Sequence, residues 1–227
     1  MIENFLILGS KPNSKIPKTN FTKIFSSNAA VSKIDKYKDF FNDTHHSCVV
    51  GVNHFLGNEE VKNKVINSRI DKLVVRGVRS ISGINFRFNP DIEYLDNFKQ
   101  FKIQSNCIKN NYINMIIGES KYEKNYLNKI NHFGKCIIKR KFFGVSTGFF
   151  SIIYAHLINP NANLIISGIG MAEDEKLYDK NQEGFIKRAR VDKYMISKIY
   201  LSLKNKLTTT DINLAKRANI KFWQGPC

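Results

Sequence analysis

Four short segments carry residue types suited to holding an anion or a nucleotide. The first is Gly9-Ser10-Lys11-Pro12-Asn13, directly after the apolar run Phe5 to Leu8. A glycine ending a buried strand lets backbone approach a phosphate. Ser10 and Asn13 add donors, and Lys11 adds charge. Neither a P-loop nor G-x-G-x-x-G is present, and an ordinary turn after a strand reads the same way. The second is Ser146-Thr147-Gly148, at the head of the apolar stretch Phe149 to Ile158. Free N–H groups, hydroxyls and the helix dipole make such a start an anion site. A plain N-cap uses the same residues. The third is Ser167-Gly168-Ile169-Gly170, with Tyr178 downstream. The fourth is the pair Asn28 and Asn53, each just after an expected strand. Beside the Gly9 loop they would form a polar rim suited to a base or ribose; singly, each would cap a turn.

Other chemistry is poorly supported. Glu173-Asp174-Glu175 lies between Ala172 and Lys176 and reads as a solvated acidic loop, so no metal is expected. His54 follows a strand at the ligand edge and is the candidate base, whereas His156 falls in the apolar stretch and reads as a core histidine. No histidine pair has zincin spacing, and no G-x-S-x-G elbow marks a serine hydrolase. Cys48, Cys107, Cys136 and Cys227 lie far apart, with no C-x-x-C. That argues against zinc and redox motifs and fits reduced thiols in a cytosolic protein.

The elements that must position these residues alternate between strand and helix. Strands are expected at Phe5–Leu8, Lys23–Ser26, Ser47–Val52, Lys72–Val78, Leu164–Ser167 and Ile220–Trp223. Helices are expected at Ala29–Phe41, Asn58–Ile70, Ile92–Ile103, Lys121–Asn131, from Ser146 to Ile158, and at Ala189–Leu203. Thr208-Thr209-Thr210-Asp211 caps a further short helix to Ala218. This order predicts a single α/β domain over 1–227: a mostly parallel Rossmann-like sheet flanked by helices. Residues 80–141 are the candidate lid or acceptor-side insertion. In such a sheet, ligands bind outside the C-terminal ends of the strands, and all four segments fall at strand ends or at helix N-termini.

Composition narrows the partners. The chain has 227 residues and a net charge of +17, from 36 Lys and Arg against 19 Asp and Glu. Its 17 Phe and 9 Tyr argue against disorder. No apolar run reaches the roughly 18–20 residues that span a bilayer, and Met1-Ile2-Glu3-Asn4 lacks the basic start of a signal peptide. The positive charge points to an anionic partner. It is spread along the chain without a basic block or an RNP-type aromatic motif, which disfavours nucleic acid. AT-rich coding sequence would produce the same lysines. Work at an anionic cytoplasmic leaflet would suit both readings.

In this order the motifs resemble the bacterial sialyltransferases of glycosyltransferase family 42, and more loosely those of family 29. The matching pieces are Ile7 to Asn13, Ser27-Asn28, Val52-Asn53, Val145 to Gly148, Ile166 to Ile169, Tyr178 and Thr210-Asp211-Ile212. The resemblance implies a GT-A-variant fold, a CMP-activated sugar acid as donor and a glycan acceptor. It also implies inversion without metal or other cofactor. By that analogy the Gly9 loop and Asn28 face the CMP phosphate and ribose, and Asn53 the cytidine or sugar. Ser146, Thr147 and Gly148 hold the carboxylate or phosphate, and Tyr178 stabilises the departing phosphate. The family's general-base histidine has no counterpart. Its segment reads Lys187-Arg188-Ala189-Arg190-Val191-Asp192, and arginine is a poor base. Three readings stay open: Arg190 or Arg188 binds the donor while His54 or Asp192 is the base; the acceptor needs no strong base; or the chain is a non-catalytic nucleotide-binding relative. A nucleic-acid-binding protein is the alternative from a different class.

Overall fold

The computed structural model describes residues 2–37, 41, 44–109, 112–120, 125–139, 144–170, 191–192, 195–199, 203 and 206–227. Eight strands form one sheet: β1 (Asn4–Leu8), β2 (Lys23–Ser27), β3 (His45–Gly51), β4 (Lys72–Arg76), β5 (Asp91–Leu95), β6 (Asn163–Ser167), β7 (Leu207–Thr209) and β8 (Lys221–Phe222). All neighbours are parallel, in the order β5-β4-β3-β2-β1-β6-β7-β8. The fold is therefore α/β and Rossmann-like, as expected. From β1 the chain steps outward to β5, then returns to place β6 on the other side of β1. The topological switch point lies between β1 and β6, and that is where such sheets bind ligands.

A sheet covered on both faces needs strands that are apolar throughout. In β1, Phe5 to Leu8 are all fully buried. Phe5, Ile7, Phe25, Val49 and Val74 meet the helices of one face. Cys48, Val50, Leu73 and Val75 meet those of the other. The first face carries α3 (Asn97–Cys107), α4 (Tyr112–Ser120), α5 (Tyr126–Lys139) and α6 (Thr147–Ile158). The second carries a 3-10 helix (Asn28–Tyr37), α1 (Val52–Gly57) and α2 (Glu59–Asn67). The last helix, α7 (Ile212–Ala218), joins β7 to β8. Residues 191–192, 195–199 and 203 are helical as well. Among the described residues, no helix is long and apolar enough to cross a membrane.

Helix α6 is apolar on every side because it lies at the centre of one face, against β1, β2, β3 and β6. Its Tyr154 ring meets Phe25 edge-on at 6.2 Å, and Phe25 meets Phe5 at 5.5 Å. Three expectations are corrected. Ile92–Ile103 is not one helix: Asp91–Leu95 is the edge strand β5, followed by α3. The charged-apolar alternation of Asp91 to Leu95 is that of an edge strand facing solvent. Thr208 and Thr209 belong to the short strand β7, while Asp211 caps α7 as expected. Within the helix expected over Ala29–Phe41, Asn28–Tyr37 is a 3-10 helix.

His46 on β3 is 4% exposed. Its Nδ1 lies 3.0 Å from the Arg69 carbonyl and its Nε2 lies 2.8 Å from the Ser26 hydroxyl. A carbonyl only accepts, so Nδ1 carries the proton and Nε2 accepts from Ser26. Burial drives the ring's pKa from 6.5 down to about 4, and the Arg69 hydrogen bond offsets part of that. The unfolded ring protonates near 6.5, before the folded one. Stability is full above that pH and falls as pH drops toward 4, by at most roughly 1.4 kcal/mol per pH unit. Urea unfolding at pH 7, 6 and 5 should show this decline, and His46→Gln should flatten it by about one proton's worth. An unchanged slope would remove His46 as the cause.

Candidate functional site

The backbones of β1 and β6 meet beyond their C-terminal ends. Gly9 N–H donates to the Ser167 carbonyl at 2.8 Å, and Lys11 N–H to the Gly168 carbonyl at 2.9 Å. A methyl group on Gly9 would lie 2.2 Å from the Gly168 oxygen. One on Gly168, whose φ is +72°, would lie 2.7 Å from the Gly9 oxygen. Neither position has room for a side chain. The close approach that Gly9 permits is thus to Gly168, and the Gly9 and Lys11 amides are spent on β6.

The loop's carbonyls face a cation. Lys33 Nζ, from the 3-10 helix, donates to Gly9 O at 2.9 Å, Lys11 O at 2.6 Å and Ser14 Oγ at 2.5 Å. Lys11 in turn pairs with Asp211 at 2.6 Å. Asp211 also accepts from the N–H groups of Asn213 and Leu214, which caps α7. Burial alone would raise the Asp211 carboxyl. The Lys11 hydrogen bond and the amides outweigh it and hold the group below its ordinary value. Ser10 is half-buried, and Asn13 is exposed with a φ of 54°.

The second half of the edge is the start of α6. Ser146 is its N-cap: its Oγ accepts from Phe149 N–H at 3.4 Å, and its own N–H donates to the buried Asp192 carboxylate at 2.8 Å. The first amides of a helix have no partner within it, and no hydrogen bond among the described residues takes those of Thr147 and Gly148. Both residues are half-exposed, whereas Phe149 to Ala155 are buried. Side chains and glycines link this helix start to three strands. A methyl group on Gly51 would lie 3.4 Å from Thr147 Oγ1. One on Gly148 would lie 3.4 Å from the Ile169 side chain, which also abuts Gly9. Asn28 Oδ1 accepts from Gly51 N–H at 3.3 Å, fastening the end of β2 to that of β3. Asn28 has a φ of 49°, a conformation that asparagine tolerates.

The structure therefore brings Gly9, Asn28, Thr147, Gly148 and Gly168 to one edge, with Ser146 as the cap behind them. Asn53 lies two residues past Gly51, exposed on α1. His54 follows it, half-buried, with its Nδ1 shielded from solvent. Tyr178, Arg188 and Arg190 lie outside the described residues.

Two cations at this edge escape a reading of the sequence. Lys33 gives no signal, because its acceptors lie 19 to 24 residues away. Arg76 is more legible, as the polar end of the apolar strand Lys72-Leu73-Val74-Val75-Arg76. Its Nε donates to Gln100 Oε1 at 3.0 Å and its Nη2 to the Val145 carbonyl at 2.9 Å. Its guanidinium lies 4.3 Å over the Phe150 ring. Arg76 thus fixes the chain entering α6. Burial pushes the Cys48 and Cys107 thiols up to about 12, which rules them out as nucleophiles near neutral pH. Among the described residues, no three His, Cys, Asp or Glu side chains converge on a metal-sized point. A cavity of about 880 Å³ lies at the opposite, N-terminal ends of β2 and β3, near His45 and Arg69. Its wall mixes Arg69 and Arg87 with Asp35 and Asp71, so it lacks the uniform charge an anion site needs.

Fold and site define a parallel α/β protein whose switch-point edge is built from glycines, amides, hydroxyls and fixed cations. Comparison with protein-family models, with curated proteins and with solved structures gives no match.

The glycine contacts predict a contrast between two alanine variants. Gly9→Ala meets a backbone carbonyl and should cost about 2–3 kcal/mol. Gly51 has a φ of −82° and faces only a hydroxyl at ordinary contact distance, so Gly51→Ala should stay within about 1 kcal/mol of wild type. Urea midpoints measure both, and equal losses would contradict the packing described.

Proposed function

We propose that this chain is a metal-independent, inverting glycosyltransferase. It takes a CMP-activated, sialic-acid-like sugar at the switch-point edge and passes it to a cell-surface glycan precursor. The observation that carries the reading is the start of α6: Thr147 and Gly148, half-open ahead of the buried run Phe149 to Ala155, between Arg76 and the Gly9 loop. Such a donor brings two anions, a phosphate and a carboxylate. A helix N-terminus with a hydroxyl suits one of them, and the fixed cations Arg76 and Lys33 favour both.

In the proposed reaction the acceptor hydroxyl attacks the anomeric carbon. The bond from that carbon to the phosphate oxygen breaks, and its electron pair leaves with CMP. The hydroxyl proton passes to a base. His54 takes this part, because Asp192 is buried and accepts from Ser146 N–H. Tyr178 and Arg190 meet the departing phosphate, where donors aimed at developing charge count most. Asn28 keeps the edge closed, and Asn53 faces the nucleoside or sugar. The resemblance to family 42 supports the donor class, and the absence of a membrane-crossing helix among the described residues fits work in the cytoplasm at the inner face of the membrane.

Thermal unfolding with CMP, a CMP-sugar acid, UDP, GDP, ATP and a short DNA tests this. CMP and its sugar acid should raise the melting temperature, with EDTA making no difference. Saturation at 100 times the dissociation constant is worth about 2.7 kcal/mol. The double variant Ser146→Ala, Thr147→Ala should weaken the shift. His54→Gln should keep it and lose donor turnover. No shift with CMP, beside a salt-sensitive shift with DNA, would overturn the proposal in favour of nucleic-acid binding.

A further inference from the structure

Among the described residues, a run of exposed apolar side chains lies on α5. Tyr126, Leu127 and Ile138 are 76%, 77% and 81% exposed, and Ile130 and Ile137 are exposed too. At 100° per residue these five and Gly134 fall in one arc of about 120°. The opposite side of the helix is the packed one: Cys136 is buried and His132 half-buried, while the half-buried Phe133 borders the stripe beside Tyr126. The stripe is thus a continuous aliphatic face on a folded helix. Ile113 and Ile117, exposed on the neighbouring α4, are spaced four apart and share one face of that helix.

The charges on α5 are of one sign. Its sequence carries Lys129, Lys135 and Lys139 and no acid. The neighbouring α4 has one acid in its sequence, Glu119, and α3 beyond it carries Lys99 and Lys102 without an acid. We propose that α5 is an interfacial helix that lays its aliphatic face into a bilayer bearing anionic headgroups, with its lysines at the headgroup level. Fourteen residues give a helix of about 21 Å. That is short of the roughly 30 Å hydrocarbon core, so the helix lies in the interface. Charge selects this partner over a second copy of the chain. Two chains of +17 meeting through α5 would bring like charges together, whereas an anionic surface attracts them. Chemistry selects it over nucleic acid, because bases stack on aromatic rings and this face is aliphatic apart from Tyr126. The inference deepens the membrane side of the proposed function, but it needs no nucleotide and stands or falls separately.

Co-sedimentation with vesicles of phosphatidylcholine alone, or mixed equally with phosphatidylglycerol, tests it on the full chain. The wild type should bind the anionic vesicles at least about tenfold more tightly than the neutral ones. Leu127→Ser with Ile138→Ser should lose about tenfold of that binding, with an unchanged melting temperature and an unchanged response to CMP. Lys135→Glu should weaken binding to the anionic vesicles and leave binding to the neutral ones alone. The proposal is overturned by no binding to anionic vesicles, or by a double-serine variant that binds as wild type. A wild-type dimer that the double-serine variant converts to monomer would reassign the face to a second copy and overturn it as well.

Discussion

The structure hinges on one close approach, that of the Gly9 and Gly168 backbones at the ends of β1 and β6. β1 is the strand from which the chain departs in both directions, so the path on each side depends on how that strand ends. Two bare peptide segments lock there through Gly9 N–H to Ser167 O and Lys11 N–H to Gly168 O. The lock sets Ile169 against Gly148, and so fixes where α6 begins. The start of α6 then sets Thr147 against Gly51, and Asn28 ties Gly51 to the end of β2. A methyl group at the centre of this chain of contacts would displace every later member.

Charge at the edge is arranged in two ways with different consequences. Lys11 and Asp211 form a pair that cancels itself and stabilises α7. Lys33 and Arg76 are held differently. Lys33 donates to three neutral oxygens, those of Gly9, Lys11 and Ser14. The oxygens that Arg76 meets belong to Gln100 and Val145, and the ring beneath it is Phe150. Such oxygens offset part of the cost of desolvating a cation. These contacts hold Lys33 and Arg76 in fixed positions at the switch-point edge.

What was legible in the sequence followed from burial on both faces. β1, β4, β6 and α6 are nearly continuous apolar runs, because a central position leaves no polar side. β5 was not legible, because five residues alternating Asp-Ile-Glu-Tyr-Leu also suit a short amphipathic helix. Only pairing with β4 decides between them. β7 is three residues long and its Thr-Thr pair suggests a cap. At the site, glycines and cap residues announce themselves locally, so Gly9, Asn28, Ser146 and Gly168 could be named. Lys33 could not, because its role depends on carbonyls brought to it by the fold.

A fold does not by itself specify a function, and the same sheet edge would serve many anions. What narrows the choice is how the edge joins the rest of the molecule. Gln100 of α3 accepts from Arg76, and Arg76 donates to the Val145 carbonyl that leads into α6. α3 packs on α6 and on α4, and α4 packs on α5. The helix bearing the aliphatic face is therefore built onto the site through packed helices and a single guanidinium. A bilayer contact at α5 would hold the switch-point edge at a set position relative to the lipid surface. That arrangement suits an acceptor carried on the membrane better than one free in solution, which ties the surface charge, the apolar face and the glycine edge into one reading.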